Sequence, residues 1–409
     1  MTAKDLQRAL PLFRDFLDRF TPHLVEDHRT ESRKDRADAY LRGLLLDAES
    51  TKTSEAIALK VHGDASQVRM TQVFLGQSAW ADEPLRDELI AWVNDEIGAD
   101  DGTLIVDETG FPKCGEHSVG VARQYCGATG KIDNCQVGVF VAYASAKDHT
   151  LLQERLYLPE AWATDAKRRE EAGVPEGVVF RTKPELALEL IRTVGPRVRH
   201  GWVTFDEGYG KDPAFLSGLE ELGERYIGEV PKNFRGWLKR PEVEEPPTKG
   251  RRRKARVKAG EPKPQTVEEI AAALPASAWQ RLRFREGTKG TQQAHFARIR
   301  IVVERDDLPG LEVWLVIERS CDQSSYVKYF ISNATVDCPL LAMVQAGHHR
   351  WPVEDCFLRG KQEVGMDDYE VRGWRGWHHH MTLVMMALWF LVLQKRRLGK
   401  KNQPGHDAA

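Results

Sequence analysis

The sequence of 409 residues lacks the features that mark several common classes of protein. None of its six cysteines stands in a C-x-x-C pair, which excludes a zinc ribbon and a dithiol redox site and leaves reduced thiols as the expectation. It has no phosphate-binding P-loop and no dinucleotide fingerprint, so an ATP-driven helper and a dehydrogenase are disfavoured. The N-terminus lacks the apolar core of a signal peptide, and the longest apolar run, Met381 to Leu393, is too short to span a bilayer. We therefore expect a cytosolic protein in which this run is a buried helix.

The chain also lacks an excess of charge of either sign. Its 59 lysines and arginines against 61 aspartates and glutamates give a formal net charge of −2, which does not indicate a nucleic-acid-binding protein. Any surface for DNA must therefore come from local clusters of basic residues. One cluster lies within the proline-rich stretch from Pro241 to Pro264 and predicts a flexible, exposed basic arm, which either contacts phosphates or is only solvated. Its cations are Arg251, Arg252, Arg253, Lys254, Arg256 and Lys258.

Two short apolar runs each end in an aspartate. Thr103 to Asp107 and Trp202 to Asp206 both have the composition of a buried strand, and both are followed by glycine-containing turns. An acid at the end of such a strand lies where a sheet meets a cleft. Asp107 and Asp206 are therefore candidate metal ligands, in preference to the glutamates that follow them. The simpler alternative is that each aspartate only caps the loop after it.

A third candidate acid, Glu354, lies in the pattern R-x3-E-x6-K between Arg350 and Lys361. On a helix these three residues share one face, an arrangement that suits an acid holding a metal beside phosphates held by the cations. The alternative is a pair of ordinary ion pairs on a solvated helix. Three carboxylates without a matching set of cysteines and histidines suit hard divalent cations, so we expect two Mg²⁺ ions, with Mn²⁺ as a possible substitute.

The three acids resemble the DDE triad of cut-and-paste transposases. The helix motif resembles Y-x2-R-x3-E-x6-K, the signature of the bacterial insertion-sequence branch of that family, and matches its last three positions. The tyrosine position is Gly347, where this chain departs from the pattern. The resemblance extends over about residues 100–395. It implies an RNase H-like catalytic core, Mg²⁺-dependent DNA cleavage and strand transfer, phosphate contacts by Arg350 and Lys361, and an insertion that clamps the transposon end.

Apolar periodicity then predicts the domain organisation of an α/β protein. Residues 1–98 read as an N-terminal helical domain, with Asp82 as a possible N-cap and a basic face that either binds DNA or is solvated. Residues 99–232 and 336–397 would form the RNase H-like core, 233–335 the inserted basic arm and β-rich subdomain, and 398–409 a basic and polar tail. The candidate phosphate contacts of the helical domain are Arg29, Arg33, Lys34 and Arg36.

Strands and helices are predicted at specific positions within these domains. The strands are 102–107, 119–126, 136–144, 202–206, 226–230, 281–285, 297–304, 311–318 and 326–332, and the helices include 184–193 and 213–222. His378, His379 and His380 are predicted to begin a helix before Met381, because three consecutive histidines point in different directions and do not form a metal site. Trp374 and Trp377 could stack on bases, but we expect them in the core.

Three functions remain open at this stage. The leading hypothesis is an active transposase that acts on double-stranded DNA, both at transposon ends and at a target, as a homodimer in the bacterial cytoplasm at the nucleoid. The second is a domesticated DNA-binding protein of the same fold that no longer transposes. The third is a metal-dependent nuclease that cleaves without strand transfer.

Overall fold

The computed structural model describes residues 3–24, 30–46, 51–244, 255–287, 290–321 and 326–401. The chain divides into two compact units. The first consists of Met1–His200 and Trp351–Ala409, and the second of Gly201–Arg350. Both contain helices and sheet strands, which confirms the predicted α/β class. No helix in the described ranges is long and apolar enough to cross a membrane.

The first unit begins with five helices, as the apolar periodicity predicts for this part of the chain. A stripe of phenylalanines on the first helix is fully buried, and its Phe13 packs edge-on against Phe390 with ring centroids 5.3 Å apart. Asp82 is the first residue of the fifth helix rather than its N-cap, which is Ala81. The helices are α1 (Ala3–Phe20), α2 (Thr30–Leu45), α3 (Ser54–His62), α4 (Ser66–Gly76) and α5 (Asp82–Ile97).

Four antiparallel strands follow in the first unit. Along one edge of β3 runs β1, in register from Thr103 opposite Ala144 to Pro112 opposite Cys135. The other edge of β3 pairs first with β2 and then with β4. β4 was not predicted from the sequence. The strands are β1 (Thr103–Pro112), β2 (Ala122–Cys126), β3 (Lys131–Ala144) and β4 (His149–Leu156).

Helices complete the first unit on both sides of this sheet. The predicted helix at 184–193 is α8, which begins with a capping box between Thr182 and Glu185. The last helix buries Met381 to Leu393 almost completely, so the prediction of a buried helix there is confirmed, and Trp377 is in the core as expected. The helices are α6 (Glu160–Ala163), α7 (Ala166–Glu171), α8 (Lys183–Val194), α13 (Pro352–Val364) and α14 (Trp374–Lys401); the numbers between belong to the second unit.

The second unit is built on a sheet with the strand order β10-β7-β12-β13-β14-β6-β5, and β11 pairs with β12. β5 and β6 are parallel and the other pairs are antiparallel. β8 and β9 form a separate hairpin. The strands are β5 (Trp202–Phe205), β6 (Tyr226–Val230), β7 (Arg235–Trp237), β8 (Val243–Glu244), β9 (Arg256–Val257), β10 (Gln265–Thr266), β11 (Gln280–Gly287), β12 (Gly290–Arg305), β13 (Leu308–Arg319) and β14 (Val327–Ser332).

The helices of the second unit are α9 (Glu207–Gly210), α10 (Pro213–Glu221), α11 (Val267–Ala272) and α12 (Leu340–His348). α12 packs on the sheet through Met343 and Val344, and the core there includes Phe296 and Phe330. Gly347 is buried on this helix. A Cβ atom at Gly347 would make ordinary contacts, at 3.4 Å with Cδ1 of Ile227 and at 3.6 Å with Cδ1 of Phe330, so the larger tyrosine ring of the resembling signature would have to be accommodated beside these core side chains.

Candidate active site

Asp107 lies on β1 with its side chain toward helix α13. Side chains alternate along a strand, so Asp107 and Thr109 share one face of the sheet. The Thr109 hydroxyl accepts a hydrogen bond of 2.9 Å from Nζ of Lys361, which is on α13. β1 continues past Asp107 to Pro112, so the prediction that Asp107 ends its strand is wrong. Asp107 instead follows the four fully buried residues at the start of β1. Beyond Asp107 the strand stays paired with β3 as far as Pro112.

Two further contacts fix α13 on this face. Phe140, directly opposite Asp107 on β3, packs edge-on against Phe357 of α13 with ring centroids 5.4 Å apart. Nε2 of His149 lies 2.8 Å from Oδ2 of Asp355, and His149 pairs with the residue of β3 opposite the start of β1. The contacts at 355, 357 and 361 therefore follow β1 from its start toward its end. Helix α13 runs along β1 in the direction of that strand.

Glu354 lies in the first turn of α13 and is exposed. The helix begins at Pro352, a residue that suits the first helical position because its missing N–H has no partner there in any case. α12 ends at His348, so Arg350 belongs to the break between the two helices. The prediction that Arg350 and Glu354 stand four apart on one helix is therefore wrong, because a proline in that position starts a new helix.

Lys361, predicted to hold a phosphate, is half-buried against β1. Its Nζ donates to the hydroxyl of Thr109 and, at 3.1 Å, to the carbonyl oxygen of Gly110. Burial lowers the pKa of Lys361, while the nearby carboxylate of Asp367 opposes this shift. The amine therefore anchors α13 to β1 in this structure. A phosphate contact by Lys361 stays a prediction.

Asp206 belongs to the second unit, where it follows β5. Its Oδ1 accepts hydrogen bonds from the backbone N–H of Gly208 at 2.9 Å and of Tyr209 at 3.4 Å, which makes Asp206 the N-cap of the short helix α9. The capping role that the sequence left open is thus observed. A metal-binding role for the same carboxylate stays a prediction.

The glutamates beside the two aspartates have other surroundings. Glu108 faces the opposite side of β1 from Asp107, and its Oε1 accepts a hydrogen bond of 2.7 Å from Nζ of Lys183 on α8. Glu207 is exposed in the first turn of α9. Strand alternation therefore places Asp107 and Glu108 on opposite faces of β1, and the preference for the aspartate as a metal ligand stays a prediction.

The predicted basic arm is described only in part. Arg251, Arg252, Arg253 and Lys254 lie outside the described residues. Arg256 is in strand β9 and forms an ion pair of 2.8 Å with Glu244, and Lys258 forms one of 2.5 Å with Glu242. These two cations are therefore paired with acids across the two-stranded sheet of β8 and β9, which differs from the flexible basic arm that was predicted.

Two of the four predicted basic residues of the helical domain, Lys34 and Arg36, have partners in the described structure. Arg29 lies outside the described residues. Nζ of Lys34 is 2.7 Å from Oδ1 of Asp18, and Arg36 donates at 3.3 Å to the carbonyl oxygen of Met70. The solvated-face alternative is supported for these two. Arg33 is half-buried.

The three consecutive histidines lie inside α14 rather than at its start, and all are buried. They point to different partners, as their spacing predicts: His378 to Glu154, His379 to the carbonyl oxygens of Leu75 and Trp80, and His380 to Tyr40. Burial lowers the pKa of His379 to about 4 and that of His380 to about 3. Among the described residues, no group of three or more His, Cys, Asp and Glu side chains is placed to hold a metal ion.

One cationic site was missed by sequence reasoning. His117, Arg168 and Arg372 line a cavity of about 240 Å³ in the first unit, above the indole of Trp162. The three residues are more than 50 positions apart in the chain at their closest, counting 168 minus 117, and no motif links them. They come together only in the folded unit, where Arg168 of α7 donates to the loop with His117 and the carbonyl oxygen of Arg372 accepts from the same loop.

Comparison with known proteins places this geometry in context. The family described as DDE superfamily endonuclease matches residues 15–291, which include Asp107 and Asp206 and end before Glu354. The probable transposase for insertion sequence element IS701 from Microchaete diplosiphon is 33% identical over 162 residues, which is 39% of this chain and 40% of that protein. The chain thus matches about two fifths of the length of this relative.

A solved structure, that of the NurA nuclease from Sulfolobus solfataricus, is similar at a TM-score of 0.27 and 12% identity. The similarity covers 79% of this chain and 93% of that one. A likeness of this size carries no argument about the fold.

Proposed function

The chain belongs to the family of DDE superfamily endonucleases, and we propose that it is a transposase that cuts DNA at the ends of an insertion sequence and joins the freed ends to a target. The observation that carries this proposal is the docking of α13 along β1. The exposed Glu354 and the half-buried Asp107 thus lie on two elements that contact each other directly. Asp107 also lies within the residues that the family matches.

Asp107, Asp206 and Glu354 are the proposed metal-binding and catalytic acids. Their chemistry fits the group, since carboxylate oxygens are the ligands that Mg²⁺ and Mn²⁺ take in proteins. When bound, a pair of such ions supplies activation of the attacking oxygen and stabilisation of the leaving oxygen in phosphoryl displacement. Arg350 and Lys361 are proposed to contact DNA phosphates beside these acids.

The parts of the chain itself have defined tasks in this proposal. Helix α13, docked on β1, carries Glu354 in its first turn, so the backbone that holds this carboxylate is in place before DNA arrives. The α9 cap orients one oxygen of Asp206 toward backbone N–H groups, which fixes the direction of the other.

A basic face in the second unit supports DNA as the partner. The antiparallel register places Arg281 of β11, His295 of β12 and Arg319 of β13 in one row across three strands, and Arg283 lies two residues along β11 on the same face. The three arginines are exposed, and in the described part of the chain none has a carboxylate partner. A row of unpaired cations on a sheet matches the charge of a phosphate backbone.

The finer architecture is part of the same proposal. We assign residues 99–232 and 336–397 to an RNase H-like core, residues 233–335 to an insertion that binds DNA, and residues 1–98 to a helical domain that binds the transposon end. The short tail at 398–409 and the arginines Arg251, Arg252 and Arg253 with Lys254 add to the affinity for DNA. Transposition at the nucleoid, in the bacterial cytoplasm, follows from this partner.

The test compares each proposed acid with a matched control acid. Labelled duplexes from the DNA on either side of the gene are incubated with Mg²⁺ and Asp107→Asn, Asp206→Asn or Glu354→Gln protein. The controls are Glu108→Gln, Glu207→Gln and Glu363→Gln, which change the same charge on the same or the next element. We expect the first three to lose cleavage by about 100-fold or more and the controls to keep it.

The outcomes separate the alternatives. Cleavage without joining of a 3′-end to a second duplex would indicate a nuclease. DNA binding without cleavage by the wild-type protein would indicate a DNA-binding protein that has lost its chemistry. If the Glu354→Gln protein cuts as fast as the Glu363→Gln protein, the assignment of Glu354 is wrong.

A further inference from the structure

We propose that the cavity of the first unit that is lined by His117, Arg168 and Arg372 binds a single phosphate group of the DNA backbone, away from the proposed catalytic acids. The choice of DNA as the source of this phosphate rests on the proposed function. The cavity itself is independent of that function, because none of its lining residues belongs to the proposed acids or to the basic arm.

The floor of this phosphate cavity is rigid. Trp162 is almost fully buried and donates from Nε1 to the carbonyl oxygen of Val121 at 2.8 Å. The guanidinium of Arg168 lies 3.8 Å from the centre of the Trp162 ring and donates at 3.0 Å to the carbonyl oxygen of Glu116. Neither contact involves a carboxylate, and within the described ranges no carboxylate forms an ion pair with Arg168. Stacking on the indole holds the planar cation in place before a ligand arrives.

The opposite wall of the cavity, formed by Arg372 and Gly373, is held in place by backbone hydrogen bonds. The carbonyl oxygen of Arg372 accepts a hydrogen bond of 2.8 Å from the N–H of Val119, and the N–H of Trp374 donates to the carbonyl oxygen of Ala172, also at 2.8 Å. The exposed side chain of Arg372 is left free to move, and it has no carboxylate partner within the described ranges. One arginine is thus fixed and the other can close on a ligand.

Charge and size select the ligand. The lining holds two arginines and His117 against one acid, Glu171, so an anion is favoured. A metal ion is disfavoured, since His117 and Glu171 are the only metal-ligating side chains of the lining. The volume of about 240 Å³ is smaller than the 300 Å³ or more of typical small-molecule pockets, so it suits a phosphate with part of its sugar.

The cavity is separate from the proposed acids. β1 continues for five residues after Asp107, and His117 lies in the loop that follows this strand. None of the proposed acids lines the cavity. The bound phosphate would therefore be a different one from the phosphate that reacts, and it would set the position of the duplex rather than take part in its chemistry.

Salt-dependent DNA binding of Arg168→Gln, Arg372→Gln and the double variant tests this assignment, with fluorescence anisotropy as the readout. Because both arginines hold one phosphate, each single variant should weaken binding by about tenfold at low salt. The slope of log K against log salt should become shallower by about 0.9 in each single variant, and the double variant should make it little shallower still. Lys167→Gln is the matched control: its side chain is 85% exposed on the same helix and outside the cavity, so binding should change less than twofold.

A second measurement separates the sources of phosphate. Calorimetric titration with inorganic phosphate alone should show binding that both single variants lose. If phosphate binding is lost in the variants but DNA binding matches the Lys167→Gln protein, the site serves a free phosphate compound and the DNA assignment is overturned. If neither changes, the cavity binds no phosphate. Should wild-type protein bind no DNA at all, the proposed function fails, while the phosphate titration still decides the cavity. The hydrogen bond that the described structure shows for Arg372 is made by its main-chain carbonyl oxygen and is kept in Arg372→Gln, so this variant tests the site even if Arg168→Gln misfolds.

Discussion

At the scale of single residues, His380 has both ring nitrogens satisfied in its neutral form. Nε2 lies 3.2 Å from the carbonyl oxygen of Gly365, which can only accept, so Nε2 carries the proton. Nδ1 then accepts from the Tyr40 hydroxyl at 2.9 Å. Burial lowers the pKa of His380 to about 3. Between the ordinary pKa of about 6.5 and this value, the unfolded chain binds a proton at His380 that the folded chain does not.

Stability should therefore fall as the pH decreases from 7. Between pH 7 and pH 5 we expect His380 to lower the free energy of unfolding of the wild-type protein by about 2 kcal/mol. In the His380→Gln protein the free energy of unfolding should fall by about 2 kcal/mol less over the same pH interval. Urea unfolding at both pH values measures the difference. His62→Gln, which changes an exposed histidine, is the control and should follow the wild type. Identical pH dependence in the two variants would contradict the prediction.

At His379, the hydrogen bonds of the ring and its burial shift the pKa in opposite directions. Both of its nitrogens lie 2.9 Å from carbonyl oxygens, of Leu75 and Trp80, and a neutral ring can donate to only one of them. These contacts favour the protonated ring, whereas burial lowers its pKa to about 4. We base the pH prediction on His380 for this reason, since its neutral form fits its partners.

At the scale of elements, the sequence predicts those strands well whose buried positions carry apolar side chains. All nine predicted strands have counterparts, whereas β4 was missed because Gln153, Glu154 and Arg155 make its centre polar. Glu154 is nevertheless fully buried, where it pairs with Arg86 and His378. An ion pair between distant elements replaces apolar burial at this strand, and a sequence pattern does not show such a partner.

In the candidate site, too, contacts between residues far apart in the chain are the ones that the sequence pattern does not show. The preference for Asp107 over Glu108 rests on the end of the apolar run and stays a prediction; the structure shows the two side chains on opposite faces of β1. The placement of Arg350 failed because the helical spacing was carried across Pro352, where a new helix begins. The anchoring of Lys361 on Thr109 joins residues that are 252 positions apart, and local periodicity contains no information about such a contact.

Helix α12 gives a prediction about the position where the chain departs from the resembling signature. Gly347→Ala should be tolerated, because the new Cβ would make an ordinary contact at 3.4 Å and alanine favours helix by about 1 kcal/mol over glycine. Gly347→Tyr should destabilise the protein by about 1–3 kcal/mol or more, because the ring must enter a packed core.

Thermal and urea unfolding of the two variants at the same position provides the comparison. The alanine variant controls for the loss of glycine itself. A tyrosine variant as stable as wild type would show that the core around Ile227 and Phe330 yields to the ring, and that glycine at this position has another cause.

At the scale of the whole molecule, we expect a dimer when DNA ends are bound. In the proposed transposition reaction two ends are cut and joined together, and one set of acids serves one end at a time. Light scattering after size separation, with and without end DNA, should show two protein chains per pair of ends. A mixture of wild-type and Asp107→Asn protein should then join fewer paired ends than the wild-type fraction alone predicts. A monomer that completes concerted joining would contradict this expectation.

The first unit is discontinuous in the chain, since it combines Met1–His200 with Trp351–Ala409. During synthesis, the pocket for Phe390 on α1 and the face of β1 that receives α13 must wait for the last part of the chain. At roughly 5–20 residues per second, the 150 residues of the second unit delay that completion by about 8–30 s. Throughout this interval the nascent chain contains the residues of β1 with Asp107 but not those of α13 with Glu354. Translation itself thus postpones the meeting of Asp107 and Glu354 until the second unit has been synthesised.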